Sequence, residues 1–166
     1  MRSIRFLAIA LPALLSASCL HASPAVKAPQ AFALERVTAG SPPPALEGRG
    51  VSRVRPVFMN LDLFGETKAR EPIEMNFFPD VSITVNWSQV EHVDQPSGFV
   101  WSGTVVGAPA GHAVMAISGK TVTATVTRGD GWIYEIRTTP DGGLWVREID
   151  QKKFPQERES VAPNRK

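Results

Sequence analysis

Between Arg55 and Asp150 the chain alternates apolar and polar residues with a period of two, and this limits the fold more than any other feature. In Val81-Ser82-Ile83-Thr84-Val85-Asn86-Trp87-Ser88 every second side chain is apolar. An extended strand sends successive side chains to opposite faces, so Val81, Ile83, Val85 and Trp87 share a buried side and the polar residues stay wet. Thr121 to Thr127 repeats the pattern, with Val122, Ala124 and Val126 inward and the threonines outward. Val57, Met59, Leu61 and Leu63 form a third inward set, and Ile73, Met75 and Phe77 a fourth. Phe99–Val106, Ala113–Ser118, Trp132–Thr138 and Leu144–Ile149 are rich in the β-branched and aromatic residues that strands favour.

The breaks between these segments are turn-formers. Gly107-Ala108-Pro109-Ala110-Gly111, Ser118-Gly119-Lys120, Arg128-Gly129-Asp130-Gly131 and Pro140-Asp141-Gly142-Gly143 each separate two strands. Connections this short exclude parallel crossovers, which need a dozen or more residues. The sequence therefore predicts an all-β domain in which the last five strands run as an antiparallel meander. Spacing near ten residues favours a sandwich or a small, partly open barrel. The strands between Arg55 and Val90 are expected to pair with one edge or to form a second layer.

The ends have a different character. Arg2 and Arg5 precede the apolar run Phe6 to Leu15, and small residues follow from Ser16 to Ser23. A basic start, a short greasy stretch and a small-residue exit describe a signal peptide over residues 1–22. The run is too short to span a bilayer, which takes about 20 apolar residues. Cys19 would be a lipid-anchor position, but the usual large aliphatic residue three places earlier is replaced by Ser16. Residues 23–52, with Pro24, Pro29, Pro42, Pro43 and Pro44, read as an extended, solvated linker, with a short helix around Gln30 to Val37 as a weaker feature. The β domain then occupies 53–150, and 151–166 forms a polar, frayed tail.

Charge and cysteine content narrow the function. The chain has 18 Lys+Arg and 16 Asp+Glu, and two of the basic residues lie in the leader, so the exported part carries equal numbers of each sign. Nucleic-acid binding needs a clustered basic face, and none is present in the pattern. Cys19 is the single cysteine. Its removal with the leader would leave no disulfide, no thiolate and no sulfur ligand.

Candidates for chemistry are few. Of the histidines His21, His92 and His112, the first falls at the leader boundary, and no His-Glu-x-x-His motif exists. Glu91, His92 and Asp94 form the densest ligand-type cluster, yet on a strand only His92 and Asp94 share a face. Arg128-Gly129-Asp130, Asp141 and Asp150 are explained by turn chemistry. Trp87, Trp101, Trp132 and Trp145 all fall on expected strands, where burial outweighs a sugar-stacking stripe. No catalytic, cofactor-binding or metal-ligating residue is therefore assigned, and the chain is read as non-enzymatic.

One succession of motifs is more distinctive. Phe99-Val100-Trp101-Ser102-Gly103-Thr104-Val105-Val106-Gly107-Ala108-Pro109 is followed by Tyr134-Glu135-Ile136 and then by Glu148-Ile149-Asp150. Upstream stands Asn76-Phe77-Phe78-Pro79-Asp80. This order resembles the pro-regions that precede the catalytic domain of bacterial secreted zinc metallopeptidases, over roughly Val54 to Phe154, with departures at His112 and Ala124. The resemblance implies a propeptide-like domain, periplasmic or extracellular, that binds a secreted peptidase and inhibits it or helps it fold. With no protease sequence after Lys166, a free-standing pro-region or the front of a truncated precursor is expected. The alternative is an orphan β module of the periplasm or cell surface that binds a peptide, glycan or envelope component through exposed tryptophans.

Overall fold

The computed structural model describes residues 27–33, 41–64, 71–94 and 97–155. Its strands are β1 (Phe32–Ala33), β2 (Val51–Pro56), β3 (Phe58–Met59), β4 (Ile73–Phe78), β5 (Val81–Asp94), β6 (Ser97–Val105), β7 (His112–Ser118), β8 (Thr121–Thr127), β9 (Trp132–Thr138) and β10 (Leu144–Asp150). Strands β4 to β10 follow one another as antiparallel neighbours, and β2 pairs with the far side of β10. The resulting eight-stranded sheet, ordered β2-β10-β9-β8-β7-β6-β5-β4, curls into a nearly closed barrel. The all-β antiparallel expectation holds, and the barrel is the alternative realised. The meander begins two strands earlier than the turn spacing alone suggested, at β4.

The barrel interior is where the alternation sends its apolar residues. Met75, Phe77, Val85, Trp101, Met115, Val122, Val126, Ile136 and Val146 are all essentially inaccessible. Tyr134 stacks on Phe77 with ring centroids 4.8 Å apart. Phe64 meets Trp87 and Trp101 edge-on at 5.8 and 6.3 Å. Each such side chain withdrawn from water contributes on the order of 1.5–3 kcal/mol, which a domain without disulfides needs. At Gly103 the strands approach so closely that a Cβ would lie 2.5 Å from the Asn86 carbonyl oxygen and 2.9 Å from Val85 Cγ1.

Two bulges interrupt the period. One lies between Trp87 and Gln89, where β5 gains a residue against β6. The next inward residue after Trp87 is therefore Val90, opposite Trp101, while Gln89 and Glu91 face solvent. An unbroken period would have driven Gln89 and Glu91 into the core. The second lies between Met75 and Phe78 of β4, where Asn76, Phe77 and Phe78 are all buried.

Several expectations are corrected. The strand carrying Val57 and Met59 stops there, because Leu61–Phe64 winds into a 3₁₀ turn. Leu61 is left exposed, and Phe64 takes the buried place. Residues 23–52 are not a solvated linker throughout. Ala31, Phe32 and Leu46 are buried, and Phe32–Ala33 is strand where a helix start was expected. Residues 34–37 of that expected helix lie outside the described residues, as do the leader, Cys19 and His21. The tail opens with an ordered 3₁₀ turn, Gln151–Lys153, because the Asp150 carboxylate accepts from the Lys152 N–H at 3.0 Å.

Candidate functional site

A curled sheet must resolve its two free edges, here β2 and β4. At one end of the seam the closure is made by side chains. The β2–β10 register sets Arg53 opposite Glu148 and Arg55 opposite Val146. Arg55 donates through its guanidinium to the backbone carbonyls of Phe77 and Asn76, at the bulge of β4. Arg53 donates to Glu148 at 2.8 and 3.0 Å and to Asp80 at 2.8 and 3.0 Å, with its guanidinium carbon 4.1 Å from the centre of the Phe78 ring. Strand β2 is thereby tied to the β4–β5 hairpin with no ladder between them.

The electrostatics follow from these contacts. Hydrogen bonds to Glu148 and then Asp80 hold the Arg53 pKa above its usual value, and burial lowers that of Arg55. The Arg53 hydrogen bond keeps Asp80 below the ordinary carboxylate range. Burial raises Tyr134, whose phenol sits near Glu148 and Arg128. Both oxygens of the buried Glu148 carboxylate are engaged by the Arg53 guanidinium. The cluster fastens the barrel.

At the other end the seam is filled by an inserted segment. The Ala31 N–H donates to the Glu74 carbonyl at 2.9 Å, and the Glu74 N–H donates to the Pro29 carbonyl at 2.9 Å. On the opposite side β1 pairs antiparallel with β3, Phe32 against Met59 and Ala33 against Phe58. Residues 29–33 therefore bridge the gap between β4 and the continuation of β2.

The outer surface of β6, β7 and β8 is distinctive in another way. The register leaves Gly98, Val100, Ser102 and Thr104 outward on β6, His112, Val114, Ala116 and Ser118 on β7, and Thr121, Thr123, Thr125 and Thr127 on β8. None of these is an Asp, Glu, Lys or Arg. Charges resume only on the flanks. Glu91 on β5 accepts from Gln89 at 2.7 Å, and Glu135 on β9 is held by Arg137 at 2.9 Å and Arg147 at 2.5 Å. Burial pushes the Glu135 pKa up, but the hydrogen bonds from Arg137 and Arg147 outweigh it and leave it lowered. Within the uncharged surface lies a groove of about 210 Å³, lined by Val93, Gly98, Val100, Ala116, Ile117 and Thr123 among others. Its floor cannot carry a side chain at Gly98, where a Cβ would meet the Ile117 carbonyl oxygen at 2.3 Å.

The residues singled out in the sequence are not brought together. His92 Nε2 lies 3.4 Å from Asp94 Oδ1, both exposed, and Glu91 points to the other face. His112 pairs in register with Thr104, and His92 with Phe99, so the two histidines sit at opposite ends of the sheet. No group of three metal-ligating side chains gathers among the described residues. Trp87, Trp101 and Trp145 are buried and Trp132 half-buried, so the tryptophans do not form a surface stripe. Arg128 and Asp130 pair with one another at 3.0 Å across their turn. Asp141 accepts from Gly143, as a turn residue does.

Sequence reasoning missed Arg53, Arg55, Glu148, Asn76 and Phe32 as a connected set. The available signal was an asparagine between Met75 and Phe77, in a segment whose neighbours are otherwise buried. No helix among the described residues is long and apolar enough to cross a membrane. No protein-family model, no curated protein and no solved structure matches this chain.

Proposed function

We propose that this is a non-catalytic, exported, propeptide-like domain that binds a secreted peptidase through the outer face of β6, β7 and β8. The absence of charge across that face carries the reading. A sheet surface that meets only water is ordinarily studded with Lys and Glu, which prevent association. This one offers threonine, serine, alanine and valine over three adjacent strands, with Val114 44% exposed. Covering these three strands desolvates no carboxylate, ammonium or guanidinium, and the groove beside Gly98 accepts one apolar side chain of a partner.

The residues that carry the pro-region resemblance support a division of labour. Trp101, Gly103, Val105, Tyr134, Ile136 and Glu148 are buried. They hold the scaffold and leave the outward face free for contact. Three strands about 4.8 Å apart and seven residues long present roughly 350 Å². A stable partner covers about 800 Å² on each side, so the peptidase extends over the charged rim of Glu91 and of Glu135 with Arg137.

The test is purification of the exported chain with the secreted proteins of its own organism at low salt, followed by assay of the recovered peptidase on a peptide substrate. The expected result is a peptidase whose activity changes when the chain is added back. A Val114→Lys, Thr123→Glu double variant is expected to lose that effect while melting like the parent. Recovery of no peptidase, or an unchanged effect with the double variant, defeats the proposal.

A further inference from the structure

We propose that the slot between β4 and β3 is a strand-accepting site for an extended peptide, and that residues 29–33 are its occupant in cis. Recognition of this kind takes affinity from backbone hydrogen bonds and selectivity from pockets for alternate side chains. Both are present. The fixed donors and acceptors are the Glu74 N–H and carbonyl, and the Asn60 N–H, which donates to the Ala31 carbonyl at 2.9 Å. The Asn76 side chain adds one of each, accepting from the Phe32 N–H at 3.0 Å and donating to the Phe32 carbonyl at 2.8 Å. The pocket takes Phe32, which is 2% exposed and lies 5.7 Å from the Phe77 ring.

The occupant's chemistry defines the ligand class. Ala31 is fully buried beside the aromatic, and Gln30 and Ala33 face solvent. Pro29 contributes only its carbonyl, to the Glu74 N–H, so the missing proline donor costs nothing there. The site therefore selects an extended segment with one aromatic side chain preceded by an alanine-sized residue. A tethered strand competes with an effective concentration on the order of millimolar. A partner's strand gains the slot once that covalent link is cut. The inference is independent of the peptidase partner proposed above, because any peptide of this pattern serves.

The test uses the full exported chain with a specific protease site placed between Leu34 and Gly40. After cutting, a fluorescent peptide of residues 27–34, Lys-Ala-Pro-Gln-Ala-Phe-Ala-Leu, is added and its anisotropy followed. Saturable uptake by the cut chain is expected, with no uptake by the uncut chain below millimolar peptide. A peptide with alanine in place of the phenylalanine should bind more weakly by about 100-fold or more, the loss of a buried aromatic. If cutting unfolds the chain, the uncut Phe32→Ala variant is used instead, and the peptide should restore its native tryptophan emission. Equal binding of the two peptides overturns the proposal. So does the absence of uptake by folded cut chain, or a doubled mass in light scattering without uptake, which assigns the slot to a second copy.

Discussion

The side-chain amide of Asn76 reads the backbone of Phe32 in both directions, accepting from its N–H and donating to its carbonyl. A side chain thus does for the inserted segment what a neighbouring strand would do, at the bulge where β4 cannot continue its own ladder. Asn76→Ala removes both bonds and strands two buried backbone groups of Phe32. The expected loss is about 2–6 kcal/mol in urea unfolding, since each of the two unpaired buried groups costs about 1–3 kcal/mol. Asn76→Gln should not recover it, because the longer side chain displaces both atoms.

Arg55 performs the equivalent task at the other end of the seam. Arg55→Met keeps the aliphatic stem but leaves the Asn76 and Phe77 carbonyls without their donor. A loss of about 2 kcal/mol is expected. Hydrogen exchange should quicken along β4 and β2 before it does in β7 and β8. Uniform quickening across the sheet would show that the arginine does not act as a local clasp.

Stability should fall at both extremes of pH, for separable reasons. Glu135 has a lowered pKa in the folded chain. Its contribution is complete above the unfolded glutamate value of about 4.3 and is lost as pH falls through the lower folded value. Tyr134 has a raised pKa, so its contribution is complete below about 10 and is lost as pH rises through the folded value. Melting temperatures across pH 2 to 12 should show both limbs. Glu135→Gln should make the acid limb shallower without touching the alkaline one, and Tyr134→Phe should do the reverse.

Gly103→Ala tests how tightly β5 and β6 are drawn together. The new methyl would meet the Asn86 carbonyl oxygen and Val85 at distances no real contact adopts. A loss of about 1–3 kcal/mol is expected from overpacking. The same change at Gly48, where nothing lies within 4 Å, should be nearly neutral and serves as the control.

What could be read from the sequence was what a single strand decides for itself. Val81 to Trp87 and Thr121 to Thr127 announce their inward faces, and the glycine-bearing breaks announce the turns, because side-chain period and turn chemistry are local. The bulge after Trp87 was not legible, since only pairing with β6 reveals that Val90 and not Gln89 faces Trp101. The clasp was hidden for the same reason, with Arg53 and Glu148 lying 95 residues apart. Proline content in residues 23–52 argued for solvated chain, and it masked Ala31 and Phe32, whose burial depends on a gap that exists only after the sheet has curled. The threonines of β8 were read as a wet face one strand at a time. Their lack of charged neighbours appears only when β6, β7 and β8 lie side by side.

The pairing of Val51 with Ile149 in the β2–β10 ladder bears on how the domain assembles. Hairpins β4 to β10 zip from sequence neighbours, which costs little chain entropy. The last ladder joins the two ends of the domain, and loop closure over such a separation is slow. Until it forms, the early ensemble is an open ribbon whose two unsealed borders invite association. Dilution should therefore help the newly made chain reach its native form, and crowding it with copies of itself should divert it into aggregates.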